Sequence, residues 1–235
     1  MNLILLLPTD FIDNDRVRLC GRRLQHVQEV HRAAPGDRLR VGLLNGNLGE
    51  GEVVALSAAA LELRVTLDQP PPPPLPLTLL LALPRPKMLR RIFQTCATLG
   101  VRDIYLLNAY RVEKSYWQSP HLTTERINEQ LVLGLEQGVA TQLPQVHLIK
   151  RFKPFVEDQL PTLVAHKRAL VAHPYHAAPC PPAEETDTLL AIGPEGGFIS
   201  YEVEKLQQAG LSSIHLGPRI LRVETALPFL AAKLF

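Results

Sequence analysis

The sequence predicts an α/β protein in which a small β-barrel precedes a larger domain built on a parallel sheet. Residues 69–76 carry six prolines, which neither continue a helix nor fit a central strand, so we predict a stiff linker there. Short strands separated by turns fill residues 1–68, whereas buried strands alternate with helices over residues 77–235. The chain therefore divides into two domains at the proline run.

The predicted barrel contains four strands and one helix. The run Met1–Leu7 is apolar but too short to span a bilayer and has no basic leading segment, so it fits a first strand better than a signal peptide. Pro35-Gly36-Asp37 and Asn45-Gly46-Asn47 mark turns. The strands are expected at 3–7, 38–44, 50–56 and 61–67, and the helix at 22–31.

In the larger domain, apolar runs alternate with helical stretches, a pattern typical of a parallel sheet covered on both faces. Ligands of such sheets bind outside the carboxyl ends of the strands. The expected strands are 77–83, 104–107, 146–149, 169–172, 189–192 and 213–216, and the expected helices are 90–99, 123–138, 154–164 and 201–209.

The charge is weak overall and uneven along the chain. A net charge of +2 does not establish nucleic-acid binding. However, Arg16–Arg40 and Arg85–Lys114 each hold seven basic residues against two acidic ones. These stretches would suit RNA phosphates, although ordinary solvated arginines give the same pattern.

Cysteine and histidine usage argues against a metal and for a reducing cytoplasm. The three cysteines, Cys20, Cys96 and Cys180, are too dispersed for a metal knuckle and too few for a disulfide framework. His173 and His176 have no third ligand nearby in the sequence, so we expect no metal.

The first chemical motif is the strand 189–192 followed by a turn with Gly193, Gly196 and Gly197. Glycines let backbone amides approach a flat or anionic ligand. Their spacing fits neither the dinucleotide fingerprint nor a P-loop, and a plain tight turn is the alternative. We predict Ser200 as the N-cap of the next helix and Gly210 as its end.

The second motif, 216–226, follows the next strand, so the two turns are expected to meet at one edge of the sheet. It places Arg219, Arg222 and Glu224 close together in sequence. These residues fit either a reactive site or a structural ion pair.

Together, Ile192–Phe198 and Leu216–Ala226 resemble the two signature stretches of the ribosomal RNA small subunit methyltransferase E family. The resemblance implies a PUA-like RNA-binding barrel and a SPOUT domain with a deep trefoil knot. It also implies a soluble homodimer, without membrane association, that uses S-adenosylmethionine to methylate N3 of a uridine in 16S ribosomal RNA, free or in the small ribosomal subunit. The apolar Leu227, Phe229, Leu230 and Leu234 are expected at the dimer surface.

The resemblance also implies roles for individual residues. Arg222 would stabilise negative charge on the uracil, and Glu195 or Glu224 would accept its proton. The cofactor would lie against Ala172, Ile192, Gly193, Gly196, Leu216, Gly217, Ile220, Leu221 and Arg222. RNA would contact Arg22, Arg23, Arg32, Arg90, Arg91, Arg111 and Arg219.

The sequence departs from the family at positions expected to face the substrate. Gln25 replaces a histidine, Thr95 and Thr98 stand where lysine and glutamate are usual, and Ala140 and Gln142 lie where arginines are expected. The sequence therefore indicates the methyl-transfer reaction but constrains the identity of the target nucleotide less. The alternatives are methylation of another RNA nucleotide, a non-catalytic RNA-binding protein that keeps the knot as a scaffold, and a small-molecule enzyme.

Overall fold

The structure is a computed structural model that describes residues 2–235, so Met1, predicted to open the first strand and domain, lies outside the described residues. A five-stranded sheet forms the amino-terminal part, in the order β1-β3-β4-β5-β2. β1 runs parallel to β3, and the other pairs are antiparallel. The strands are β1 Ile4–Leu6, β2 Arg16–Leu19, β3 Arg38–Leu43, β4 Leu48–Leu56 and β5 Leu61–Gln69.

Strand β2 was not predicted, because its arginines obscure a short alternation. Val17 and Leu19 are fully buried, whereas the arginines between and before them face outward. After β2 the chain forms helix α1, Gly21–His26, and a π-helical turn, Val27–His31, which together match the predicted helix.

The connection between the two sheets is Pro70–Pro74, shorter than the predicted 69–76. Gln69 still pairs with Leu48 at the end of β5, and Leu75 already pairs with Val101. Ladder pairing therefore continues to both ends of the proline run. Pro76 is tolerated inside a strand because the pairing register shifts between Leu75 and Thr78.

The second sheet has seven strands, all paired in parallel, in the order β10-β12-β9-β11-β6-β7-β8. The predicted parallel sheet is confirmed, and the two-residue strand β10 is an addition. The strands are β6 Leu75–Ala82, β7 Val101–Leu107, β8 Gln145–Ile149, β9 Arg168–Ala172, β10 Ala178–Pro179, β11 Thr188–Ile192 and β12 Ser212–His215.

The helices of this domain pack against one apolar core that includes the central strands. Gly134 lets two of them cross closely, since a Cβ there would lie 2.3 Å from the carbonyl oxygen of Gln94. The helices are α2 Pro86–Leu99, α3 Thr124–Gly138, α4 Phe152–Pro154, which continues through a π-helical turn Phe155–Gln159 into α5 Leu160–Val164, α6 Ser200–Gln208 and α7 Val223–Leu234. Short 3-10 turns lie at Pro8–Asp10, Lys114–Gln118 and Pro120–Leu122.

Helix α7 corrects the prediction that the apolar carboxy-terminal residues form a surface. Leu227, Leu230 and Leu234 are buried in the core of their own chain, and only Phe229 is substantially exposed, at 52%. The apolar residues at the carboxy-terminal end therefore pack mainly within their own chain. Within residues 2–235, none of the helices has the length and apolar character needed to cross a bilayer.

The two sheets are joined at the end of α3. The Glu136 carbonyl oxygen accepts hydrogen bonds from the backbone N–H groups of Asn2 and Leu3, and the Glu136 carboxylate, 2% exposed, accepts two from the Arg22 guanidinium at 2.8 and 2.9 Å. Nearby, the Thr141 hydroxyl donates to the Gly46 carbonyl oxygen at 2.6 Å. These contacts fix the amino-terminal sheet on the larger domain.

Candidate cofactor cavity at the strand ends

A cavity of about 510 Å³ lies outside the carboxyl ends of β9, β11 and β12. Ile192 at the end of β11 pairs with Ala172 at the end of β9, which brings the turns after these strands side by side. Both sequence motifs contribute to its walls. Eight of the nine predicted cofactor residues line it: Ala172, Ile192, Gly193, Gly196, Leu216, Gly217, Ile220 and Leu221.

The glycine turn, residues 193–199, forms one wall of this cavity. Gly197 adopts a φ of +73° and donates its N–H to the Pro194 carbonyl oxygen at 2.7 Å, a conformation that suits glycine. Ser200 was predicted as the N-cap of α6, but Ile199 occupies that position. Glu202 performs the capping instead, since its Oε2 accepts the Ile199 N–H at 3.0 Å.

Two charged side chains bind this turn to neighbouring loops. Arg111 donates a hydrogen bond from Nη1 to the Gly196 carbonyl oxygen, and its stem covers Gly196. Glu195 accepts the backbone N–H of Arg85 at 3.0 Å, and its Oε1 lies 3.8 Å from Arg85 Nε. Arg111 and Glu195, predicted to contact RNA and to accept a proton, thus both help to hold the turn.

The opposite wall begins where β12 ends. Gly217 has a φ of +105° and donates its N–H to His215 Nδ1 at 3.0 Å, so this histidine fixes the start of the segment. Ile220 then projects over the cavity with 72% of its surface exposed. The apolar side chains of Phe198 and Leu230 also line the cavity, so its walls combine backbone polar groups with apolar surface.

Arg222 is the N-terminal flanking residue of α7 and does not line the cavity, although its neighbours Leu221 and Val223 do. Arg222 is exposed, whereas Glu224, in the first turn of the helix, is half-buried. Within the described residues, Arg219, Arg222 and Glu224 form no ion pair with one another. The structural ion pair considered from the sequence is therefore not seen.

His173 and Tyr175 form a third wall after β9. Burial, and secondarily the neighbouring His176, lower the pKa of His173, so that its imidazole is neutral at neutral pH. No group of three or more His, Cys, Asp or Glu side chains in the described part of the chain is arranged to hold a metal ion.

The predicted RNA-contacting arginines fall into two groups. Arg22 pairs with Glu136, while Arg23 contacts Asp10 at 2.5 and 2.7 Å and is only 16% exposed. Both therefore serve intramolecular contacts. The remaining members form no salt bridge within the described chain: Arg32, Arg90, Arg91, Arg111 and Arg219.

A second cavity, of about 640 Å³, lies at the amino ends of β7 and β8, beside Pro72–Pro74. Thr98, Ala140 and Gln142, which depart from the resembled family, line it. Two other departures, Gln25 and Thr95, lie outside both cavities. The sequence departures thus spare the lining of the strand-end cavity.

A parallel sheet covered by helices, with a glycine-rich cavity at its carboxyl edge, defines a nucleotide-type ligand site. The RNA methyltransferase domain profile matches residues 71–234, which include the whole of that cavity. The chain therefore belongs to this family of RNA methyltransferases.

Relatives and solved structures extend the likeness to the whole chain. The ribosomal RNA small subunit methyltransferase E of Treponema pallidum (strain Nichols) is 27% identical over 232 residues, covering 96% of this chain and 87% of that protein. The resemblance inferred from the motifs is thereby confirmed.

Two solved structures share the fold. One is the ribosomal RNA small subunit methyltransferase E of Neisseria gonorrhoeae bound to S-adenosyl methionine, with a TM-score of 0.74, 22% identity and coverage of 99% of this chain and 96% of that one. The other is a methyltransferase of Legionella pneumophila in complex with SAM, with a TM-score of 0.75, 23% identity and coverage of 98% and 97%.

Proposed function

We propose that this protein transfers the methyl group of S-adenosylmethionine to N3 of a uridine in 16S ribosomal RNA. The observation that carries the proposal is the strand-end cavity, two walls of which are the motifs shared with the methyltransferase E family. The named relative of Treponema pallidum supports the ribosomal RNA substrate.

The cavity has the size and the lining that this cofactor requires. Its volume of about 510 Å³ falls within the usual range for small-molecule sites. The backbone of the glycine turn and of Leu216–Gly217 would bind the polar groups, while Phe198, Leu221 and Leu230 would contact the adenine and the methylene groups. When bound, the cofactor supplies an electrophilic methyl group on a positively charged sulfur.

Arg222 is the residue that we assign to charge stabilisation on the target base. The neutral imide nitrogen of uridine is a poor nucleophile, so the N3 proton must leave before or during attack, and negative charge develops on the uracil oxygens. The Arg222 guanidinium stays protonated and has no acidic partner among the described residues, which leaves it available for this charge.

Glu224 is a better candidate than Glu195 for accepting the proton. The Glu195 carboxylate is engaged with Arg85, whereas the Glu224 side chain has no hydrogen bond or ion pair within the described chain. Glu224 also lies two residues after Arg222. A carboxylate within hydrogen-bond reach of the base is what general-base catalysis requires.

The remaining features follow from the same family assignment. We assign the five-stranded sheet to a PUA-like RNA-binding barrel, and the carboxy-terminal chain to a trefoil knot. Contacts of the 182–187 segment with the end of α7 support the knot, since Leu234 O accepts hydrogen bonds from Glu184 N–H and Arg168. We also assign the protein to a homodimer with the exposed Phe229 at the dimer surface. We assign it to the cytoplasm, and the three free cysteines are consistent with that location.

Two measurements test the function. Titration calorimetry with S-adenosylmethionine, in buffer containing a chelator, should show binding. Mass mapping of 16S ribosomal RNA from a strain that lacks the protein should show loss of one methyl group on a uridine, restored by adding the protein to isolated small subunits. Loss of a methyl group at another nucleotide would support the different-target alternative, and RNA binding without cofactor binding would support the scaffold alternative.

A further inference from the structure

The loop after β7, residues 108–112, exposes a tyrosine beside the strand-end cavity. Tyr110 is 78% exposed, the largest exposed fraction among the large apolar and aromatic side chains of the described residues. The next residue, Arg111, lines the cavity. A single exposed tyrosine is ordinary on a protein surface, so its significance depends on how the loop is held.

A buried carboxylate fixes the backbone of Tyr110. Glu202 is 3% exposed, and its Oε1 accepts the Tyr110 N–H at 2.7 Å while its Oε2 accepts the Ile199 N–H at 3.0 Å. Charge-assisted hydrogen bonds of this kind are short and strong. One carboxylate therefore joins the tyrosine loop to the glycine turn of the cavity.

Neighbouring contacts make the tip of the loop rigid. Ala109 and Val112 are buried at 4% and 7% exposure, and the Val112 N–H donates to the Ala109 carbonyl oxygen at 3.0 Å. At the base of the loop, the Asn108 N–H donates to the Ile149 carbonyl oxygen at 2.9 Å. The fixed tip thus presents the Tyr110 ring to solvent, while the Arg111 guanidinium reaches back to Gly196.

We propose that Tyr110 stacks on a base of the RNA substrate next to the methylated nucleotide, and that Glu202 is the residue that positions it. The inference rests on the proposed function. N3 lies on the pairing edge of uracil, so the target base must be unpaired when the methyl group is transferred, and a base drawn out of its stack leaves neighbouring bases that need new stacking partners. Proteins provide such partners as exposed aromatic rings beside arginines. Here Arg111 and Arg219, both exposed and at the cavity, supply the positive charge.

Substitutions at Tyr110 test the stacking. We expect Tyr110→Ala to raise the KM for small ribosomal subunits about ten- to a hundredfold, since one base–aromatic stack is worth that much, and to leave the Kd for S-adenosylmethionine unchanged. Tyr110→Phe keeps the ring and should behave as the wild type. Tyr201→Ala is the matched control, because Tyr201 is 45% exposed, does not line the cavity and lies against Lys205.

The subunits come from a strain that lacks the protein, so that every target is unmethylated. An unchanged KM for Tyr110→Ala, an equal loss in Tyr110→Phe, or a loss of cofactor binding would each overturn the stacking role. Absence of methylation by the wild-type protein would instead refute the proposed function, so the two failures are distinguishable.

Glu202→Gln tests the positioning role. The amide keeps one acceptor oxygen but places an NH₂ group against the second backbone N–H, so either the loop or the turn must shift. We therefore expect Glu202→Gln to raise both the KM for subunits and the Kd for the cofactor several-fold, whereas Tyr110→Ala changes only the former. If Glu202→Gln binds both ligands like the wild type, Glu202 does not position the loop.

Discussion

The two edges of the parallel sheet use charged side chains in different ways. At the carboxyl edge, backbone turns form the cavity, and Arg219 and Arg222 have no acidic partners in the described chain. At the amino edge, where α3 ends, Glu136 is buried and bound by Arg22, and Thr141 is fully buried with its hydroxyl bonded to Gly46. Arginines of similar appearance in sequence thus lack an acidic partner at one edge and stabilise a domain contact at the other.

The difference predicts that substitutions separate activity from stability. A side chain without an intramolecular partner contributes little to the free energy of unfolding, so its removal should change only the catalytic rate. Removing one member of a buried ion pair leaves a desolvated charge, so such a substitution should mainly lower the free energy of unfolding. Four experiments compare the two edges, in order of decreasing size of effect.

Arg222→Ala should reduce the single-turnover rate with saturating RNA by about a hundredfold or more, the usual cost of losing one preorganised charge-stabilising donor. The Kd for the cofactor and the unfolding temperature should not change, because the side chain neither lines the cavity nor has an acidic partner in the described chain. The wild-type rate should also rise toward alkaline pH, as more uridine anion forms. A near-normal rate for the variant, with a flat pH profile in the wild type, would contradict this mechanism.

At the amino edge, Arg22→Ala should lower the free energy of unfolding by about 2 kcal/mol, less than a fully buried pair would cost because water reaches the arginine. The substitution leaves the Glu136 carboxylate, 2% exposed, without its guanidinium. Glu136→Gln, which removes the buried charge, is the control and should cost less. Urea unfolding of both variants measures these changes. Equal losses of unfolding free energy in the two variants, or no loss in either, would mean that this pair does not stabilise the domain contact.

Gly193→Ala should weaken cofactor binding about tenfold, or about 1.4 kcal/mol. A Cβ at this position lies 3.0 Å from the Phe198 backbone nitrogen and 3.1 Å from its ring, so the turn must shift. Gly196→Ala is the matched variant, because its Cβ meets the flexible Arg111 side chain at 2.9 Å instead. Calorimetry should show a clearly smaller loss of cofactor affinity for Gly196→Ala. Equal losses would show that the contact with Phe198 is not the cause of the weaker binding.

The smallest effect is expected for RNA affinity. Arg90→Glu with Arg91→Glu should weaken binding several-fold and reduce the slope of log affinity against log salt by roughly 0.7 to 0.9 for each phosphate that the variant no longer neutralises. Both arginines are exposed on α2. Reversing Arg22 with Arg23 should act mainly through stability, because Asp10 and Glu136 already bind them. An unchanged salt slope for the first double variant would mean that Arg90 and Arg91 face solvent in the complex.

Much of the fold follows from local sequence patterns. Apolar runs such as Leu189–Ile192 and the turns after them were located to within one or two residues, because strand periodicity and glycine chemistry depend on neighbouring residues. The candidate cavity followed as well, since parallel strands align their carboxyl ends. Two elements were missed: the short strand β2, whose arginines hide the alternation, and the helix α7, whose interior Pro228 and apolar composition obscured the helical pattern.

The strand-end motifs, the parallel sheet and hence the class of enzyme follow from local sequence patterns alone. Which charged side chains have an intramolecular partner depends instead on how distant segments pack together. Glu136 lies 114 residues from Arg22, and Glu202 lies 92 residues from Tyr110. Local propensity carries no information about such pairs, because each forms only when separate elements pack against one another and exclude water from the groups between them.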